Sequence, residues 1–103
     1  MQLHTLKLIT IVIEDSIKRE LLNKIIELGG TGYTCHEVQG YGSRGARKDP
    51  FRSNTQIQMV CPESVATAIL TFVSHHYFEN FACIAWLSDV SVVRGERYVV
   101  PPK

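Results

Sequence analysis

Between Leu6 and Ile13 the chain reads LKLITIVI, a short apolar run rich in β-branched residues. That composition suits a central strand buried on both faces. The period then changes. In EDSIKRELLNKIIELGG, Ile17, Leu21, Ile25 and Leu28 recur at helical spacing, and Leu22 and Ile26 widen the stripe. Asp15 or Ser16 is placed to cap this helix, and Gly29-Gly30 falls where a helix end takes left-handed backbone. GYTCHEVQ, from Gly32, reads as a second strand. It carries Tyr33, Cys35 and Glu37 on one face and Thr34, His36 and Val38 on the other. NTQIQMVC, from Asn54, alternates again and sets Ile57, Met59 and Cys61 together. PESVATAILTFVSHHYF predicts a second helix that starts at Pro62, with Val65, Ile69, Phe72, Val73 and His76 on one face. FACIAWLSDVSVV is the fourth strand, and in the tail that follows Pro101-Pro102 removes two ladder donors.

The order β-α-β-β-α-β predicts a ferredoxin-like α+β domain: an antiparallel four-stranded sheet with both helices on one face. One domain over residues 1–103 is expected, with a loop over about 40–54 and a short tail over 94–103. The helices cover one face only, and strands one and four are apolar at nearly every position. The face opposite the helices therefore predicts a partner, and a closed homo-oligomer is the simplest one.

Composition narrows the classes. The net charge of +1 offers no bulk attraction to nucleic acid or to an anionic membrane. Three cysteines, Cys35, Cys61 and Cys83, lie far apart without a Cys-x-x-Cys pair, which argues against a disulfide framework or a zinc ribbon. A reducing cytoplasm is expected. No signal-peptide pattern and no membrane-length apolar run is visible.

Ferredoxin-like domains serve many chemistries, so function has to come from residues. An acylphosphatase needs a phosphate-cradling loop with an arginine after its first strand, and VIEDSIK is acidic there. An RNA-recognition module stacks bases on aromatics of its central strands, and KLITIVI and TQIQMVC have none. His4, His36, His75, His76 and the cysteines show no i, i+4 metal spacing, and the adjacent His75 and His76 point to different sides of a helix. No metal site is expected.

One stretch stands apart. GYGSRGARKDPFRSN, Gly40 to Asn54, joins two strands where two to five residues would suffice. Arg44, Arg47, Lys48 and Arg52 against Asp49 leave it at +3. Glycines at 40, 42 and 45 let backbone N–H groups approach an anion, Ser43 adds a hydroxyl, and Arg44 and Arg47 add forked donors suited to phosphate. A solvated insertion has the same composition.

The segment TGYTCHEVQGYGSRGAR resembles the strand and T-loop of the PII signalling superfamily. Gly32-Tyr33-Thr34 matches a Gly-Met-Thr step, and the run Glu37 to Gly42 matches Glu-Val-Lys-Gly-Phe-Gly. Gly42, Ser43, Arg44 and Arg47 give the Gly-Ser-Arg-x-x-Arg pattern of the PII-like SbtB proteins and their carboxysome-associated relatives. YFENFACIAWLS is similar to that branch's entry into the fourth strand. The resemblance implies a homotrimer with nucleotide clefts between subunits and a ligand-responsive T-loop. It implies that Gly32, Tyr33 and Thr34 contact the base or ribose. Gly42, Ser43, Arg44 and Arg47 would hold phosphate, and Val60 and Cys83 would wall the adenine mainly through backbone.

Three departures qualify what it implies. The phosphate loop Thr-Gly-x-x-Gly-x-Gly-Lys of PII proteins is replaced by HHYFENFAC, which has no lysine. AMP, ADP or cyclic AMP is therefore favoured over ATP. The T-loop lacks the tyrosine that is uridylylated in enteric PII proteins. ERYVVPPK replaces the Cys-Gly-Pro-x-Gly-Cys redox tail of some SbtB proteins. The expected function is a non-enzymatic, cytoplasmic adenine-nucleotide sensor linked to bicarbonate uptake or carboxysome function. Bicarbonate is a candidate second ligand. A membrane bicarbonate transporter or a carboxysome-linked protein is the expected partner through the T-loop, which would bring the sensor to the inner membrane. No nucleic acid is expected. A CutA-like trimeric metal-binding protein and a weak nucleotide phosphohydrolase are the alternatives, although Glu37 and Asp49 alone offer little for hydrolysis.

Overall fold

The apolar run at the start of the chain forms β1 (Leu3–Glu14), which lies inside the sheet. The computed structural model describes residues 1–40 and 53–99. After β1 come a 3-10 turn (Asp15–Ile17), α1 (Lys18–Glu27), β2 (Thr34–Val38), β3 (Asn54–Cys61), α2 (Glu63–His76), β4 (Cys83–Val93) and a last 3-10 turn (Gly95–Tyr98). The sheet order is β2-β3-β1-β4, and every pairing is antiparallel. This is the ferredoxin-like arrangement the element order predicts.

Alternation sorts β1 between two environments. Ile9, Ile11 and Ile13 are fully buried beneath the helices. They join Ile57, Met59 and Cys61 of β3, Leu21 and Ile25 of α1, and Ala66, Ile69 and Val73 of α2 in one core. On α2 the buried line is Ala66, Ile69 and Val73, whereas His76 is exposed and stacks on Phe72 at 4.1 Å. Tyr77, at the helix end, is buried instead, although the spacing puts His76 on the apolar face. Its hydroxyl donates to Glu20 Oε1 at 2.6 Å and ties α2 to α1.

The ends of α1 show one expectation met and one replaced. Gly29 takes φ +110°, and the Gly30 N–H donates to the Ile25 carbonyl at 2.9 Å, which closes the helix end. At the start, neither Asp15 nor Ser16 caps α1. A 3-10 turn occupies those positions, and the Asp15 carboxylate accepts instead from Thr55 Oγ1 at 2.6 Å.

The face away from the helices divides in two. Leu6, Leu8 and Val12 of β1 pair with Val90, Ser88 and Ile84 of β4, and Trp86 stands opposite Thr10. Ile84 and Trp86 are 59% and 46% exposed. The β2–β3 half is polar, with Thr34 opposite Gln58 and His36 opposite Gln56. Gln58 Nε2 donates across to Thr10 Oγ1 at 3.2 Å. Among the described residues no helix is long and apolar enough to cross a membrane.

Candidate functional site

The strand register distributes the candidate residues over the sheet. Thr34 opens β2 opposite Gln58, and Val60 lies two residues further along β3, so both project to the face away from the helices. Gly32 sits just before them, exposed, and apart from its chain neighbours no heavy atom of the described residues stands within 4 Å of where a Cβ would be. Gly32, Tyr33, Thr34 and Val60 thus gather at the end of the sheet where β2 begins.

Cys83 does not join them. It is the first residue of β4 and pairs with Ile13 at the opposite end of β1. Val60 pairs with Leu8, five residues away from Ile13 along that strand. At about 3.3 Å per residue and about 4.8 Å per strand, Cys83 stands roughly 17–20 Å from Thr34 and Val60. One chain does not bring the two groups together. Gly42, Ser43, Arg44 and Arg47 lie outside the described residues.

The Cys83 thiol packs against the core on the same side of the sheet as Ile13 and is not a reactive centre. Burial, helped by the charge of Glu14, pushes it up to about 12. Burial alone pushes Cys61 up to about 11. Both thiols are protonated and poorly nucleophilic at neutral pH. Among the described residues no group of three His, Cys, Asp or Glu side chains could hold a metal ion.

The two strands that bracket the long loop are joined at its base. Val38, the last residue of β2, pairs with Asn54, the first of β3. Glu14 pairs with Asn54 from the other side. Thr55 is 1% exposed, and its bond to Asp15 links this base to the entrance of α1. Nothing in the sequence pattern announces that bond, because its partners are forty residues apart.

A second feature also escapes sequence reading. A groove of about 380 Å³ lies against α1, lined by Lys18, Arg19, Leu22, Asn23 and Tyr33. The Tyr33 ring thus turns toward α1, away from the face that carries Thr34 and Val60. Its alternation with Thr34 is the only sequence signal of this.

The chain matches known proteins along most of its length. A PII-like signalling protein from Thermus thermophilus is 41% identical, aligns over 96% of this chain and 100% of its own, and superposes with a TM-score of 0.83. CPII from Thiomonas intermedia superposes with a TM-score of 0.84 in its complex with ADP and bicarbonate, at 23% identity, covering 94% of this chain and 97% of that one. Its complex with ADP, AMP and acetate gives a TM-score of 0.81 at 20% identity, covering 95% and 98%. At these identities the likeness to CPII is one of fold. No curated protein sequence matches the chain. The family model "Nitrogen regulatory protein P-II" matches residues 6–97, and the chain belongs to that family.

Proposed function

We propose that this P-II family chain is a homotrimeric, non-enzymatic sensor that binds adenine nucleotides between subunits. The observation that carries this reading is the division of the candidate residues. Gly32, Thr34 and Val60 stand at one end of the sheet, and Cys83 stands at the other end on the far edge strand. A second copy that sets its β4 entry beside the β2 end of the first completes a site that neither copy contains. The apolar β1–β4 half of the open face, with Ile84 and Trp86, offers the surface that holds copies together.

In this cleft the Gly32–Thr34 segment lies against the base or ribose, where the empty space beside Gly32 allows close approach. Tyr33 takes part through its backbone, because its ring faces α1. Val60 and Cys83 wall the adenine mainly through backbone, because the Cys83 thiol packs against its own core. Gly42, Ser43, Arg44 and Arg47 hold the phosphate. ADP and AMP are the ligands the reading favours. Support comes from CPII, whose structures hold ADP, AMP and bicarbonate. Cyclic AMP fits the same cleft, and ATP gains little without the phosphate-loop lysine.

In this reading the chain lies near the SbtB and carboxysome-associated branch, whose T-loop pattern Gly42, Ser43, Arg44 and Arg47 resemble. Its task in this reading is to report nucleotide state, with or without bicarbonate, to a bicarbonate transporter at the inner membrane or to a carboxysome-linked protein.

The test is calorimetry of the full chain with AMP, ADP, cyclic AMP and ATP, each with and without bicarbonate, beside light scattering. A trimer that binds ADP or AMP and loses affinity on Arg44→Ala supports the reading. A monomer, or no adenine-nucleotide binding, overturns it. ATP bound a hundred-fold tighter than AMP without added metal would mean that the phosphate site is misplaced.

A further inference from the structure

The groove on α1 has a composition the nucleotide cleft does not use. Lys18 and Leu22 are four residues apart on the helix, as are Arg19 and Asn23, so the four side chains share one surface over little more than a turn. Tyr33 completes the lining of that surface, with 41% of the residue exposed. Leu22 is half-buried and forms the floor. Among the described residues neither Lys18 nor Arg19 takes part in an ion pair. Two uncommitted cations, an amide, an aromatic ring and an apolar floor thus face one space.

We infer that this groove is a second small-molecule site, complete within a single chain, for a ligand that joins a flat ring to a phosphate or carboxylate group. Each part of the ligand has a counterpart. The ring lies between Tyr33 and Leu22, where stacking and apolar burial act together. The anionic head meets the ammonium of Lys18 and the fork of Arg19. Asn23 supplies both a donor and an acceptor to a polar substituent. A volume of about 380 Å³ is at the small end of ligand sites, which suits one ring and one head group. The site does not depend on the intersubunit cleft, because Tyr33 faces α1 while Thr34 and Val60 face the other side of the sheet.

Phenyl phosphate, inorganic phosphate and benzamide separate ring from charge. Each is titrated into the full-length protein, and the backbone amides of Leu22, Asn23 and Tyr33 are followed by NMR. Phenyl phosphate is expected to shift these amides and to bind at least about ten-fold more tightly than inorganic phosphate, with benzamide weaker still. Tyr33→Leu should bring phenyl phosphate down to the level of phosphate. Lys18→Gln with Arg19→Gln should remove binding while the melting temperature and the ADP isotherm stay unchanged. Equal binding of phenyl phosphate and phosphate, shifts confined to other residues, or indifference to all three substitutions overturns the inference. Loss of ADP binding in the Lys18→Gln/Arg19→Gln protein overturns it as well, because the groove would then be part of the nucleotide cleft. An absent phenyl phosphate site beside an intact ADP isotherm refutes this inference and leaves the nucleotide reading standing.

Discussion

The Thr55 hydroxyl donates to the Asp15 carboxylate at 2.6 Å, which joins the start of β3 to the entrance of α1. Thr55 is almost wholly buried, whereas Asp15 is exposed. Removing either partner therefore has unequal consequences. Asp15→Ala leaves a buried hydroxyl without its acceptor and is expected to cost about 1–3 kcal/mol. For a domain of this size that lowers the melting temperature by roughly 4–8 °C per kcal/mol. Thr55→Val removes the donor and lets Asp15 return to water, so it should cost less. Thermal denaturation of the two variants checks the order.

Two neighbouring glycines separate structural from functional need. A Cβ on Gly30 would stand 2.8 Å from both Ile25 Cγ2 and Met59 Cε and 3.0 Å from the Ile25 carbonyl oxygen. The carbonyl belongs to the helix backbone and yields little, so Gly30→Ala should destabilise by about 1–3 kcal/mol. A Cβ on Gly32 would meet nothing beyond its chain neighbours within 4 Å among the described residues. Gly32→Ala should melt like the parent and yet bind ADP more weakly, because the added methyl stands where the base approaches. Equal ADP affinity in Gly32→Ala would remove this residue from the site.

Much of the fold is legible because buried faces repeat with the period of their element. Asn54 is the first residue of β3 both in the alternating pattern and in the structure. What escaped is tertiary. β1 begins at Leu3, earlier than its apolar run, because Leu3 to Leu6 pair with Val93 to Val90 of β4. Asp15 has the chemistry of a cap but is claimed by Thr55. His76 continues the apolar spacing of α2, yet the helix ends there and Tyr77 reaches the core instead. For the candidate site, motif matching marks positions without saying where side chains point. Thr34 and Tyr33 are adjacent in sequence but serve opposite sides of the sheet, and Cys83 is set at the far end by its pairing with Ile13.

The open face gives a prediction about assembly. Trp86 is 46% exposed and lies on β4 opposite Thr10. Trp86→Glu places a charge in the apolar half of that face, where a contact between copies would have to bury it. Light scattering should report a trimer for the parent and smaller species for the variant. A parent that is monomeric, or a variant that is still trimeric, contradicts the assignment of this surface.

The cysteines give a pH dependence. Both Cys61 and Cys83 ionise higher in the folded chain than the ordinary 9.0, at about 11 and about 12. The folded state therefore favours the neutral thiol. The stability this contributes is present in full below pH 9, falls as the pH rises above it, and is lost once the folded values are passed. Urea denaturation should show midpoints that fall between pH 9 and 11, and Cys83→Ser together with Cys61→Ala should lessen that fall, the remainder coming from Tyr77, whose hydroxyl burial also pushes up. Alkylation of these two thiols at about pH 8 should be slow until urea unfolds the chain.

The central claim is that each nucleotide site is built from two chains, and complementation measures it directly. Gly32→Val blocks the β2 end of the site, and Ala82→Trp, one residue ahead of Cys83 and partly exposed, blocks the β4 end. Each variant alone should form trimers that bind no ADP. Mixed and reassembled in equal amounts, the two variants should recover roughly a quarter of the parental ADP sites, because that fraction of interfaces pairs two intact halves. Calorimetric stoichiometry reads the number. No recovery from two variants that each assemble but fail to bind, or full ADP binding by either variant alone, would contradict a site shared between subunits.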